Sequence, residues 1–176
     1  FCNMPSTHLW KPEILHLSEA SDRIRLETLR SSGTILEEYD TLDAQVAEWA
    51  VCHHPPAKHD PSLLASTLAE LMMGHDWDQF GVWVHYPWTG RLVRLLPEDA
   101  FVEVRTNRNR EKISKEETAT LSGKTVGIVG LSVGSTAAIC LAMERGCGKL
   151  KLADFDVIEL SNLNRIRCGL HELELP

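Results

Sequence analysis

Hydrophobic positions along the chain change their period several times, and each change marks an element. Ser18 caps a predicted helix running to about Arg30. Ile35, Leu36, Tyr39, Leu42, Val46 and Trp49 recur at helical spacing, which predicts a second helix over about 35–52, ended by His53-His54-Pro55-Pro56. Asp60-Pro61 has the residues of a cap and a first helical position, so a third helix starts there and stops before Gly74. From Phe80 to Tyr86 the pattern alternates as a strand. Pro87-Trp88-Thr89-Gly90 is turn chemistry, and Arg91–Leu96 returns as the partner of a hairpin. Ser114 and Glu117 form a capping-box pair for a short helix leading to Leu121 and Gly123. Then the apolar strand Val126–Val129, a helix over roughly Val133–Arg145, and a second strand through Leu150 and Leu152 to Asp154 follow in close order.

That last strand, crossover helix and strand define the fold class as α/β: the N-terminal part of a Rossmann-like parallel sheet, incomplete, preceded by a small α+β region with a β-hairpin. The expected division is 1–100, a linking helical segment 101–124, and the start of a nucleotide-binding domain at 125–176. Parallel strands are normally buried on both faces of a larger sheet. With two strands and one helix, Val126, Ile128, Val129, Leu150 and Leu152 are expected to lack neighbours. No internal repeat or low-complexity tract interrupts the chain.

Composition narrows the classes of function. The chain has 176 residues, 43% of them hydrophobic and 24% charged, enough for one domain and part of another. A net charge of −7 argues against general binding to nucleic acid or to a membrane surface. No apolar run is long enough to span a membrane, and no signal-peptide pattern is visible. Five cysteines, Cys2, Cys52, Cys140, Cys147 and Cys168, are odd in number and contain no C-x-x-C pair. They read as reduced thiols of a cytoplasmic protein.

Candidate chemistry concentrates after Thr125. The strand delivers Gly130 to a tight turn, and the helix that follows aims its N-terminal N–H groups and dipole at a phosphate. Where a dinucleotide fingerprint has Gly-x-Gly-x-x-Gly, this chain offers Gly130, Ser132 and Gly134, the last glycine one position early. Asp154, at the end of the second strand, is placed to accept hydrogen bonds from ribose hydroxyls. Ser161-Asn162-Leu163-Asn164-Arg165 then sets polar side chains just past that strand. A dehydrogenase has no need of them there. A triphosphate does, because amide and hydroxyl donors satisfy phosphate oxygens and a guanidinium stabilises the charge on them.

Asp154 through Arg165, reading Asp-Phe-Asp-Val-Ile-Glu-Leu-Ser-Asn-Leu-Asn-Arg, resembles the signature of the ThiF/MoeB/HesA branch of the ubiquitin-activating-enzyme-like superfamily. Upstream, Arg105-Thr106-Asn107-Arg108-Asn109-Arg110 is similar to the Arg-x-Asn-Arg-Gln segment that precedes the nucleotide domain in that family. The resemblance covers about residues 100–176. It implies an adenylyltransferase that uses ATP and Mg2+ to activate a carboxylate, usually the C-terminus of a small ubiquitin-like or sulfur-carrier protein. It further implies that Gly130, Ser132 and Gly134 approach the nucleotide, that Asp154 holds the ribose, and that Ser161, Asn162 and Arg165 face the phosphates. Arg108 matches an arginine that reaches into the neighbouring subunit's site, which implies a homodimer with Arg108 and Arg165 as the catalytic cations.

The match has departures. The family's turn reads Gly-x-Gly-Gly-x-Gly, whereas this chain has Gly130-Leu131-Ser132-Val133-Gly134-Ser135. The serine still permits a near approach, and its hydroxyl can donate to phosphate. The family also has a lysine about a dozen residues after the Ser-Asn motif and a magnesium-holding aspartate further on. This chain runs from Phe1 to Pro176 and includes neither, so it is expected to be the N-terminal portion of such an enzyme and inactive alone. Two other readings remain: an NAD(P)-dependent oxidoreductase on the same turn, and a non-catalytic ThiF-like scaffold. Elsewhere, Cys52, His53, His54 and His59 fit no zinc spacing and read as a helix end with a proline-rich loop. Trp83, Tyr86 and Trp88 read as a hairpin's packed face, and Cys168 as a structural thiol. Asp156 reads equally as a site residue or a loop brace.

Overall fold

The computed structural model describes residues 11–174. The chain forms two compact units, Phe1–Arg105 and Thr106–Pro176. The unit boundary falls at the end of a helix, Glu98–Thr106.

The first unit is a four-stranded sheet with helices packed on it. Its elements are β1 (Glu13–His16), α1 (Ala20–Ser31), β2 (Glu37–Asp40), α2 (Leu42–His53), α3 (Pro61–Leu71), β3 (Val82–Tyr86), β4 (Arg91–Leu95) and α4 (Glu98–Thr106). The strand order is β1-β3-β4-β2. The β3–β4 hairpin is antiparallel, with Val84 opposite Val93, and forms as the alternating pattern predicts. Strand β1 adds antiparallel to β3, and β2 adds parallel to β4. Leu15, Leu17, Trp83 and Leu92 pack against Leu26 and Leu29 of α1. A second cluster joins Leu42 and Val46 of α2 to Phe80, Leu96 and Ala100. Fully burying side chains of this kind contributes about 1.5–3 kcal/mol each. The buried Arg94 guanidinium ties β4 to the end of β2 and to the loop before β3, donating to Asp40 Oδ2 at 3.1 Å and to the carbonyls of Trp77 at 2.7 Å and Phe80 at 3.1 Å.

Two sequence expectations need correction in this unit. The helix expected over 35–52 begins only at Leu42, because Glu37–Asp40 is captured as a strand by pairing with Arg91–Arg94. Asp40 marks the change, its Oδ1 accepting the N–H of Leu42 at 3.1 Å. The helix expected to be capped by Ser18 has Glu19 at its N-cap, with no side-chain cap bond, and starts at Ala20. Asp60 does cap α3, its Oδ1 accepting from the N–H groups of Ser62 and Leu63. Trp83 is buried in the core, while Tyr86 and Trp88 meet edge to face at 5.4 Å beside the hairpin turn. His53 Nε2 lies 3.2 Å from Glu103 Oε2, which also accepts from Trp49 Nε1. Among the described residues, no group of three or more His, Cys, Asp or Glu side chains could hold a metal.

The second unit contains α5 (Lys115–Ser122), β5 (Thr125–Val129), α6 (Leu131–Glu144) and β6 (Lys149–Ala153). The capping box of Ser114 and Glu117 starts α5 as its sequence dictates. Strands β5 and β6 pair in parallel, Val126 opposite Leu150 and Ile128 opposite Leu152, with α6 as the crossover. Val129 and Leu152 are 82% and 52% exposed, so these two strands leave apolar side chains uncovered. Ala138 of α6 is the one buried apolar side chain of this unit among the described residues. Across both units no helix among the described residues is long and apolar enough to cross a membrane. Cys52, Cys140, Cys147 and Cys168 form no disulfide, and Cys2 lies outside the described residues.

Candidate nucleotide site

The turn between β5 and α6 is shaped by two glycines for different reasons. Gly130 has φ +84°, a left-handed conformation that disfavours any residue with a Cβ. Its N–H donates to the carbonyl of Ala153 at 2.9 Å, tying the turn to the end of β6. Gly134 has an ordinary backbone, but a Cβ there would stand 2.7 Å from Cγ2 of Ile128. Glycine therefore lets α6 lie close on β5.

Asp154 follows β6 directly and closes the turn. Its Oδ2 accepts from the N–H of Leu131, the first residue of α6. Its Oδ1 accepts from the N–H groups of Phe155 at 2.8 Å and Asp156 at 3.1 Å. These amides, Leu131 first, hold the Asp154 carboxyl below the usual aspartate range. One of the orphan donors at the start of α6 is satisfied this way. The N–H groups of Ser132 and Val133 have no intrahelical acceptor.

The loop after Asp154 folds back over the helix start. The 3-10 turn Leu160–Asn164 is braced by Asn162, whose Oδ1 accepts from the N–H of Glu159 at 2.8 Å. The N–H of Arg165 donates to the carbonyl of Asn162 at 3.0 Å. From there the Arg165 side chain reaches the glycine turn, its Nε donating to Ser132 Oγ at 2.5 Å. A second bond runs from Arg165 to Asn164 Oδ1 at 2.9 Å.

Between loop and turn lies a cavity of about 620 Å³, lined by Ser132, Asp154, Asp156, Asn162, Arg165 and Cys168 among others. That volume is in the range of small-molecule sites. Helix N-terminus and guanidinium bring positive character to the cavity, and Asp154, Asp156 and Glu159 bring negative character.

Of the residues singled out from the sequence, Ser132, Asp154, Asn162 and Arg165 meet around this cavity. Gly130 and Gly134 shape the turn without lining it. Ser161 also stands off the lining, with its hydroxyl donating to Glu159 Oε2 at 3.3 Å. Arg108 is elsewhere. Its neighbour Asn109 donates to the carbonyl of Glu144, the last residue of α6, at 3.1 Å. The cavity sits at the other end of this 14-residue helix, a separation of about 20 Å. Asp156 does line the cavity, and so does Cys168, which the sequence placed as a structural thiol. Ser135, Glu159, Arg167 and Glu172 also line it without having been singled out. A second arginine two positions after Arg165 was a legible signal for Arg167, whereas Glu172 comes in through the chain's return.

Residues 105–168 match the model of the ThiF family. The Uncharacterized protein MT1398 of Mycobacterium tuberculosis (strain CDC 1551 / Oshkosh) is 48% identical over 162 residues, which cover 92% of this chain and 20% of that protein. A match of that length runs through both units, and the chain spans about a fifth of that relative. No solved structure matches the chain. Over residues 105–168, the segment that builds the turn, the crossover helix and the cavity wall, the chain resembles the ThiF family.

Proposed function

We propose that this chain supplies the ATP-binding half of an enzyme that adenylates a carboxylate, the C-terminus of a small ubiquitin-like or sulfur-carrier protein. The observation that carries this reading is the meeting of the α6 N-terminus, Asp154 and Arg165 on one cavity inside the ThiF-matching segment. ATP would bring the electrophilic α-phosphorus and a pyrophosphate leaving group. A carboxylate oxygen forms the new bond to that phosphorus, the bond to the bridging oxygen breaks, and pyrophosphate departs with the electron pair. Such an in-line displacement asks the protein mainly for positioning and charge neutralisation.

The residues present suit those tasks. The N–H groups of Ser132 and Val133 and the helix dipole favour phosphate oxygens. Arg165 adds a full charge beside them. Asp154 Oδ2, already accepting from Leu131, keeps a lone pair for a ribose hydroxyl. Asn162 spends its Oδ1 on the loop, which leaves its amide donors for a ligand. Magnesium that accompanies ATP is held largely by phosphates and water with one or two carboxylates, so this reading asks for no dedicated group of three or more protein ligands. The guanidinium bonded to the turn's serine favours a triphosphate over a nicotinamide dinucleotide, which needs no cation there.

Arg108 enters this reading as a residue acting in trans within a homodimer. Its neighbour Asn109 contacts the far end of α6, about 20 Å along the helix from the cavity, which supports action on a partner's site rather than on its own. The test uses the intact protein, with calorimetric titration of MgATP and of NAD in parallel. MgATP should bind and NAD should not, and Arg165→Ala should weaken MgATP by at least about tenfold, the scale of a charge-assisted hydrogen bond. NAD binding without MgATP binding would overturn the reading. For the dimer, ATP–pyrophosphate exchange should be low in Arg108→Ala and Arg165→Ala separately and partly restored when the two are mixed. Mixed dimers with no restored exchange would remove Arg108 from the site.

A further inference from the structure

The family pattern has glycine where this chain has Ser132, and the structure gives that serine a specific partner. Arg165 Nε donates to Ser132 Oγ, while Ser135 Oγ donates to the Ser132 carbonyl at 3.2 Å. Ser132 is the second residue of α6 and lines the cavity together with Arg165. A glycine at 132 could not make this bond.

We propose that Ser132 is a positioning residue that locks Arg165 across the helix N-terminus. This deepens the ATP-binding reading and rests on it. The argument is one of donor and acceptor capacity. A serine hydroxyl has two lone pairs and one proton. Accepting from Nε uses one lone pair and leaves the proton to donate, and a hydroxyl that accepts from a cation is a more polarised donor. Arg165 keeps its terminal nitrogens, of which one bonds Asn164. The serine thus fixes the direction of the guanidinium and adds a donor of its own beside the Ser132 and Val133 N–H groups. An unlatched arginine on an exposed loop would have to be ordered at the moment of binding, at an entropic cost that the latch removes beforehand.

Two readouts on the intact protein test this, one of them independent of nucleotide. The first is the Arg165 Nε–H resonance in NMR spectra. In the parent protein and in Ser132→Thr, which keeps the hydroxyl, this proton should exchange slowly with water. In Ser132→Ala it should exchange several-fold faster. Equal exchange in Ser132→Ala and the parent would overturn the latch. The second readout is MgATP affinity in a cycle of Ser132→Ala and Arg165→Ala. Ser132→Ala should weaken MgATP about fivefold to tenfold in the parent, a charge-assisted hydrogen bond reduced by solvent exposure. In the Arg165→Ala background it should weaken MgATP less than about twofold, because the serine acts through the arginine. Ser132→Thr should restore near-parental affinity. Equal losses in both backgrounds would overturn positioning through Arg165 while leaving ATP binding intact. A parent protein with a slow Nε–H but no MgATP affinity would overturn the nucleotide reading, and with it any positioning role.

Discussion

Gly134→Ala sets two effects of known size against each other, and the structure decides between them. Alanine is the better helix former by about 0.8–1.0 kcal/mol in a helix interior, so on propensity alone the change stabilises α6. Against that, the new methyl would lie 2.7 Å from Ile128 Cγ2, where carbon atoms prefer about 3.5–4.0 Å. Ile128 cannot swing away cheaply, because its Cγ2 is attached at a β-branched carbon with a restricted χ1. Overpacking of this kind costs about 1–3 kcal/mol. The net expectation is a loss of about 1 kcal/mol, taken as a slight lift of α6 from β5 that also displaces the Ser132 and Val133 N–H groups. All five tryptophans, at 10, 49, 77, 83 and 88, precede the second unit in sequence, so their fluorescence is a poor reporter of this change. Amide hydrogen exchange over 126–144 would, and should quicken about fivefold, the factor that 1 kcal/mol represents. Replacing the obstructing side chain supplies the control: in an Ile128→Ala background, Gly134→Ala should no longer destabilise. Slower exchange in Gly134→Ala, or additive losses in the double variant, would refute the close-approach argument.

Two further outcomes follow from single groups. Gly81→Ala combines a left-handed φ of +86° with a Cβ that would collide with the carbonyl oxygen of Leu95. It should lower the first unit's unfolding free energy by about 2 kcal/mol or more, read by tryptophan fluorescence in urea, and a loss under about 0.5 kcal/mol would refute the clash. The Asp154 carboxyl, held down by the amides of Leu131, Asp156 and Phe155, should titrate below the ordinary aspartate value of about 3.9. A depressed folded-state pKa means that the contact contributes fully above the unfolded value and is lost as pH falls through the folded one. The Leu131 N–H resonance should accordingly stay fixed from neutral pH to about 5 and move only in stronger acid. Movement centred at or above 3.9 would detach Asp154 from the helix start.

Elements set by local chemistry were legible before any packing was known. The Asp60-Pro61 start, the Ser114–Glu117 box and the Gly90 hairpin need only a few neighbouring residues, and each forms as expected. Strands fixed by distant partners were not legible. Glu37-Glu38-Tyr39-Asp40 carries three acids in four residues, and nothing local marks it as a strand. It becomes one because Arg91–Arg94 offers an open edge and Arg91 pairs with Glu37 at 2.7 Å. Strand β1 has the same character, since Glu13–His16 acquires its state from β3. The cavity divides along the same line. Ser132, Asp154 and Arg165 stood out by their order along the chain, but Cys168 and Glu172 reach it only because the loop after β6 turns back.

The turn itself explains where its sequence can vary. Position 130 is restricted by its backbone dihedral and position 134 by the approach of Ile128, so both keep glycine. Position 132 carries neither restriction. It lies in the regular first turn of α6 with its side chain on the cavity, where a hydroxyl has room and a guanidinium to meet. A glycine there would serve only to let a ligand come nearer to the backbone. A serine exchanges some of that nearness for a fixed Arg165. Among the departures of this turn from the Gly-x-Gly-Gly-x-Gly pattern, the one at position 132 therefore falls where a side chain changes the chemistry of the site without straining the fold that presents it.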